Sequence, residues 1–170
     1  MAIDRGLLRY VAYTTELLLL AAAQSTPELI PQTLGAKPLL LVSAALSFCA
    51  VENATASMIL GAVCGAATDL AGGGIGYYAL ALTLTCFFIS SMLGSRFRAN
   101  LFSLMLFSSA AVAAVVGGYF LLFRLPFGAD CLGALFPSRY LPRMALTYLC
   151  VPPLYGFNYC LKNIIFKNRG

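Results

Sequence analysis

Two carboxylates set in apolar surroundings are the side chains of this chain with the most chemistry to offer. Glu16 lies midway along the apolar run Leu7–Thr26, and Asp69 lies near the end of the run Ala54–Leu70. Charge inside lipid is costly, so each of them calls for a partner or a proton of its own. Arg9 and Tyr13 share the helical face of Glu16, which reads either as a neutral carboxyl bonded to a neighbouring hydroxyl or as half of an ion pair. Asp69 at a helix C-terminus meets the negative end of the macrodipole and needs a donor or a cation, for which Arg139 and Arg143 are the candidates. A proton relay would require a second deep carboxylate, and none is evident.

Other catalytic chemistry is poorly provided for. The chain has no His, the commonest general base and metal ligand. Its six cysteines, Cys49, Cys64, Cys86, Cys131, Cys150 and Cys160, form no Cys-x-x-Cys pair. Five of them fall inside apolar runs, where they read as small packing residues, and Cys131 stands alone in a loop. No metal and no cofactor is expected. Gly72-Gly73-Gly74 with Gly76 matches neither phosphate-binding glycine pattern and reads as a turn.

The elements that position these residues are apolar runs of about bilayer length, set in a composition that is 61% hydrophobic and 10% charged. The runs are Leu7–Thr26, Pro38–Val51, Ala54–Leu70, Tyr77–Gly94, Leu101–Phe123 and Met144–Leu161. Lipid requires each backbone to satisfy its own polar groups, so each run is expected to be a helix. The expected fold is all-α: a polytopic membrane protein, one integral membrane domain over residues 1–170, with six transmembrane helices and short loops. The second run is short, at about 21 Å for its length against a hydrocarbon core of about 30 Å. It must snorkel Lys37 and Glu52, thin the bilayer, or form a buried hairpin with the third run. The first run imitates a secretory signal, with Arg5 and Arg9 before it and Ala21-Ala22-Ala23 near its end. Its length and the interruption at Glu16 favour a retained span.

Basic residues set the orientation. With the N-terminus inside, Arg5, Arg9, Arg96, Arg98, Lys162, Lys167 and Arg169 are cytoplasmic, while Lys37, Arg124, Arg139 and Arg143 are outside. That bias places both termini in the cytoplasm. The net charge of +5 is then a topology signal, and no nucleic-acid partner is expected.

Small residues mark two packing faces. Ser57, Gly61, Gly65 and Asp69 recur every four residues on the third run, either against the protein's own helices or against a partner. Ala110, Ala114 and Gly118 form a second stripe on the fifth run, with Ala113 and Gly117 beside it. In the sixth, Pro152-Pro153 removes two N–H donors and should kink or open the helix, freeing carbonyls near Tyr148 and Leu149. Tyr148, Tyr155, Asn158 and Tyr159 are the expected partners of that backbone.

The order of these features resembles the MreD family of rod-shape-determining membrane proteins. The resemblance rests on a first span ending in Gln24-Ser25-Thr26 and on Gly61-x-x-x-Gly65-x-x-x-Asp69-Leu70 followed by Gly72-Gly73-Gly74-x-Gly76. It rests further on the basic turn Arg96-Phe97-Arg98, and on Tyr148 through Pro153-Leu154-Tyr155 before a basic tail. Lys37-Pro38, Val51-Glu52-Asn53 and Glu16 depart from the pattern. The resemblance implies a non-enzymatic scaffold in the bacterial cytoplasmic membrane that positions peptidoglycan synthases. Its implied partners are MreC and, through it, the MreB cytoskeleton, RodA and a class B penicillin-binding protein, besides membrane lipid. Six short-looped helices also look like the substrate-binding component of an energy-coupling-factor vitamin transporter. The sequence lacks that family's Ala-x-x-x-Ala docking face and shows no obvious convergence of polar and aromatic residues on one outer pocket.

Overall fold

The computed structural model describes residues 5–26, 37–72, 76–95, 101–123 and 140–167. Arg139, Cys131, Gly73, Gly74, Arg96, Arg98, Arg124 and Arg169 lie outside them, as do the side chains of Arg5 and Lys167. The described residues form α1 (Arg5–Ser25), α2 (Leu40–Val51), α3 (Ala54–Gly72), α4 (Tyr77–Ser95), α5 (Leu101–Phe123), α6 (Leu141–Leu149) and α7 (Val151–Lys167), with no strand among them. The fold is an all-α bundle. α3 and α5 are each long and apolar enough to cross a membrane.

The bundle is apolar outside as well as inside. Leu70 is 86% exposed and Phe102 80% exposed, and Leu18, Leu84, Phe88, Leu106 and Leu121 also face outward. Such a surface suits lipid and would be an association hazard in water. Hydroxyls on these helices bond backwards within their own segment. Thr15 donates to the Val11 carbonyl at 2.8 Å, Thr85 to Ala81 at 2.7 Å and Ser109 to Leu106 at 2.8 Å. Lipid-facing polar atoms are thereby satisfied without water.

α2 resolves the length problem of the second apolar run. It is the hub of the bundle, touching all six other helices. Ten of its residues are buried, including Leu41, Val42, Leu46 and Phe48. A helix shielded from lipid by its neighbours need not match the bilayer thickness. Its N-terminus is capped by side chains from elsewhere. Leu39 N–H donates to Thr147 Oγ1 at 3.0 Å, Leu41 N–H donates to Gln24 Oε1 at 3.2 Å, and the Ser43 hydroxyl reaches the Thr147 carbonyl at 2.6 Å. These bonds satisfy N–H groups that a helix start leaves orphaned, and tie α1 and α6 to the hub.

The sixth run is interrupted at Cys150, the junction of α6 and α7. Pro152 and Pro153 fall in the first turn of α7, where their missing N–H groups cost least. Cys150 N–H still reaches the Leu146 carbonyl at 3.2 Å and Leu154 N–H the Cys150 carbonyl at 3.4 Å, so hydrogen bonding carries across the junction. α6 opens at Leu141 with Pro142 in its first turn, and α7 runs on to Lys167, both beyond the span Met144–Leu161 read from hydropathy. Hydropathy stops at polar residues such as Lys162 and Asn163, whereas helical hydrogen bonding does not.

Candidate functional site

Helix α3 and helix α4 meet along the glycine ladder. A Cβ on Gly61 would lie 2.8 Å from Cys86 Sγ and 3.0 Å from the Leu82 carbonyl oxygen. One on Gly65 would run into the Tyr78 carbonyl and the Ala79 Cα, which are backbone atoms of α4. Ser57, at the other end of the ladder, is fully buried, with its hydroxyl 3.3 Å from the Phe48 carbonyl oxygen and 3.4 Å from Ser90 Oγ. All of this face is therefore filled from within the chain.

Asp69 ends the ladder and meets no arginine among the described residues. Its Oδ1 accepts Tyr78 N–H at 3.3 Å and its Oδ2 accepts Ala79 N–H at 2.9 Å. The carboxylate thus caps the first turn of α4, where the positive end of that helix supplies what a cation was expected to supply. Among the described residues Arg143 makes no ion pair with it. Arg139 is outside the described residues.

The same end of the bundle contains a polar vestibule of about 170 Å³, lined by Gln24, Lys37, Asp69, Tyr78, Tyr119 and Arg143 among others. Tyr78 and Tyr119 stack with ring centroids 5.2 Å apart and planes 23° from parallel, forming an aromatic wall. Polar and aromatic residues do converge on one pocket here, which corrects the sequence reading. They come from five helices and one connection, so no local pattern announces them.

Glu16 likewise has a different partner from those its own helix offers. Asn158 Nδ2 donates to Glu16 Oε1 at 3.1 Å and to Ser47 Oγ at 2.9 Å, all three residues being buried. Asn158 therefore serves Glu16 and not the carbonyls freed by the prolines. Arg9 and Tyr13, which share the Glu16 face in sequence, turn to Glu52. Tyr13 donates its hydroxyl to Glu52 Oε1 at 2.8 Å, and Arg9 Nη1 lies 3.4 Å from the same oxygen. The Glu52 carbonyl also accepts the Ser90 hydroxyl at 3.1 Å, and Lys162 donates to the neighbouring Val51 carbonyl. This knot joins α1, α2, α4 and α7 at the end opposite the vestibule. Glu52 was missed as a site. Its signal was available: it is the one charge between two apolar runs, facing an Arg and a Tyr spaced four apart.

The small-residue stripe on α5 divides between two surroundings. At Gly118 a Cβ would collide with the Tyr77 hydroxyl, which donates to the Val115 carbonyl at 3.1 Å. Gly117 has Met144 for its neighbour. Ala110 and Ala114, by contrast, are exposed and line an open groove of about 310 Å³ with Leu84, Phe88, Ile89 and Phe107. The groove is almost wholly apolar, shallow, and runs between α4 and α5.

A family model described as rod shape-determining protein MreD matches residues 4–162. The chain belongs to the MreD family. Its bundle is accordingly the membrane-embedded fold of a protein of cell-shape determination, with the lipid-satisfied hydroxyls and outward leucines described above. No curated protein and no solved structure matches the chain. Among the described residues no cluster of three or more His, Cys, Asp or Glu could hold a metal ion.

Proposed function

We propose that this MreD protein is a non-enzymatic scaffold of the elongation machinery, and that it acts by docking a single-span MreC-type partner in the groove between α4 and α5. The observation that carries this reading is the combination of family membership over residues 4–162 with an open apolar groove floored by Ala110 and Ala114. Alanines one helical turn apart let a second backbone approach closely, and transmembrane helices associate through such surfaces because apolarity alone gives no drive in lipid. Phe88, Leu84 and Phe107 supply the walls. Through MreC the scaffold would act on RodA, a class B penicillin-binding protein and MreB, and so place lateral wall synthesis.

In this reading both termini are cytoplasmic, the Glu52 knot lies at the inner face and the vestibule at the outer face of the cytoplasmic membrane. The seven inner and four outer basic residues support that orientation. The vestibule lends the vitamin-transporter reading one observation, a polar and aromatic pocket at the expected end. Its volume argues the other way, being well below the roughly 300–1,000 Å³ of pockets that hold drug-sized ligands.

Affinity purification from native membranes tests the docking. Wild-type protein is expected to bring down an MreC-type partner, and Ala110→Leu with Ala114→Leu is expected to lose it while remaining folded and inserted. Equal recovery by the double variant would show that the partner sits elsewhere.

A further inference from the structure

We propose that the vestibule at the Asp69 end binds a phosphate group between Arg143 and Lys37. The cavity is lined by groups that donate. Arg143 Nε is buried and finds no hydrogen-bond partner among the described residues, an expensive arrangement for a guanidinium unless something enters to accept from it. Lys37 lines the same cavity and makes no ion pair among the described residues. Gln24 is held by its carbonyl, which accepts Leu41 N–H at 3.2 Å, and this leaves its NH2 as a third donor on the wall.

The one anionic side chain in the lining does not cancel this. Both oxygens of Asp69 are already committed to N–H groups at the start of α4. Its charge is answered by that helix terminus, and the two cations remain with one net positive charge between them and the carboxylate. Pro38 and Leu39, just before α2, close this side of the cavity. Two cations and a spare amide around a small volume form an oxyanion site, and planar arginine geometry suits phosphate oxygens in particular.

Depth points the same way. Asp69 lies fifteen residues along α3 from Ala54 and Tyr119 eighteen along α5 from Leu101, so the cavity is about 22–27 Å from the far end of the bundle, at the level of one headgroup layer. Phosphate can reach it there either as a lipid headgroup or as a free anion.

Thermal unfolding of the purified full chain in a neutral detergent distinguishes these sources and tests the site. Three additives are compared at constant ionic strength: dihexanoyl phosphatidylglycerol, the phosphate-free lipid dihexanoylglycerol and inorganic phosphate. The expected result is saturable stabilisation by phosphatidylglycerol, weakened about tenfold or more in Arg143→Gln and again in Lys37→Gln. Stabilisation by phosphatidylglycerol alone assigns the site to an anionic lipid headgroup, and stabilisation by inorganic phosphate as well assigns it to the phosphate group itself. Equal stabilisation by the phosphate-free dihexanoylglycerol, no saturable effect from any of the three, or unchanged midpoints of titration in both variants would overturn the proposal. Lys37 makes no side-chain bond among the described residues that its replacement would break, so the test survives even if Arg143→Gln fails to fold.

Discussion

Asn158 donates its side-chain amide to Glu16 across 142 positions of sequence, at 3.1 Å, and closes the last helix onto the first. Around this bond two acceptors are left over. Glu16 Oε2 and Asn158 Oδ1 are both buried without a partner among the described residues. A proton on Glu16 supplies the donor that the pair lacks, whereas an ionised carboxylate would leave a bare charge among apolar helices.

Glu16→Gln is therefore expected to fold with a stability within about 1 kcal/mol of wild type, because the amide keeps both shape and a donor. Glu16→Leu should cost about 1–3 kcal/mol by stranding the buried Asn158 amide hydrogen that Glu16 accepts. Thermal unfolding in detergent measures the order. A Glu16→Gln variant less stable than Glu16→Leu would mean that the charge itself is required.

The Glu52 knot predicts a graded series. Tyr13→Phe removes one hydrogen bond and should cost about 1 kcal/mol. Glu52→Ala should cost more, about 1–3 kcal/mol, since it strands both the Tyr13 hydroxyl and the partly shielded guanidinium of Arg9. The combined variant Tyr13→Phe with Glu52→Ala should lose less than the two separate losses added, because both act on one bond. Strict additivity would place Tyr13 outside the knot.

The glycine ladder predicts an asymmetry between two superficially equal sites. Gly61→Ala presses on the Cys86 side chain and the Leu82 carbonyl, while Gly65→Ala presses on α4 backbone that has no rotamer to change. Gly65→Ala should therefore destabilise more than Gly61→Ala, with Leu at either position costing about 1–3 kcal/mol or more by overpacking. Thermal midpoints of the four variants decide this. Equal and negligible effects would mean that α3 and α4 do not meet there.

Topology gives a chemical prediction. Cys131 is the single cysteine outside the apolar runs, and in the orientation proposed above it should react with an impermeant maleimide added outside spheroplasts. Reaction only after the inner face is opened would reverse the orientation.

How far these features were legible depends on the range of the interaction. Helices announce themselves through composition, so α3 and α5 follow from their apolar runs, and the proline pair lies beside the helix break at Cys150. The four-residue spacing of Ser57, Gly61, Gly65 and Asp69 is a local signal too, and it places them on one face. What that face meets is not local. Asp69 caps a helix beginning eight residues later, a relation the sequence hides because backbone N–H groups carry no residue identity. Glu16 finds Asn158 and Glu52 finds Arg9 through helix rotation about α2, which no periodicity in the separate helices encodes. The vestibule is the extreme case. Its lining is drawn from separated stretches, and each residue is unremarked until the bundle brings them together.

On the function proposed above, this protein scaffolds wall synthesis for cell shape through its α4–α5 groove. Depletion in the native rod-shaped or ovoid host, complemented with either the wild-type chain or the Ala110→Leu/Ala114→Leu variant, measures it most directly by cell dimensions and the position of new wall. Depleted cells are expected to round and misplace growth, the wild type to restore them, and the groove variant to insert normally yet fail. Normal shape after full depletion, with loss of vitamin uptake instead, would contradict the claim and move the protein to a transporter role.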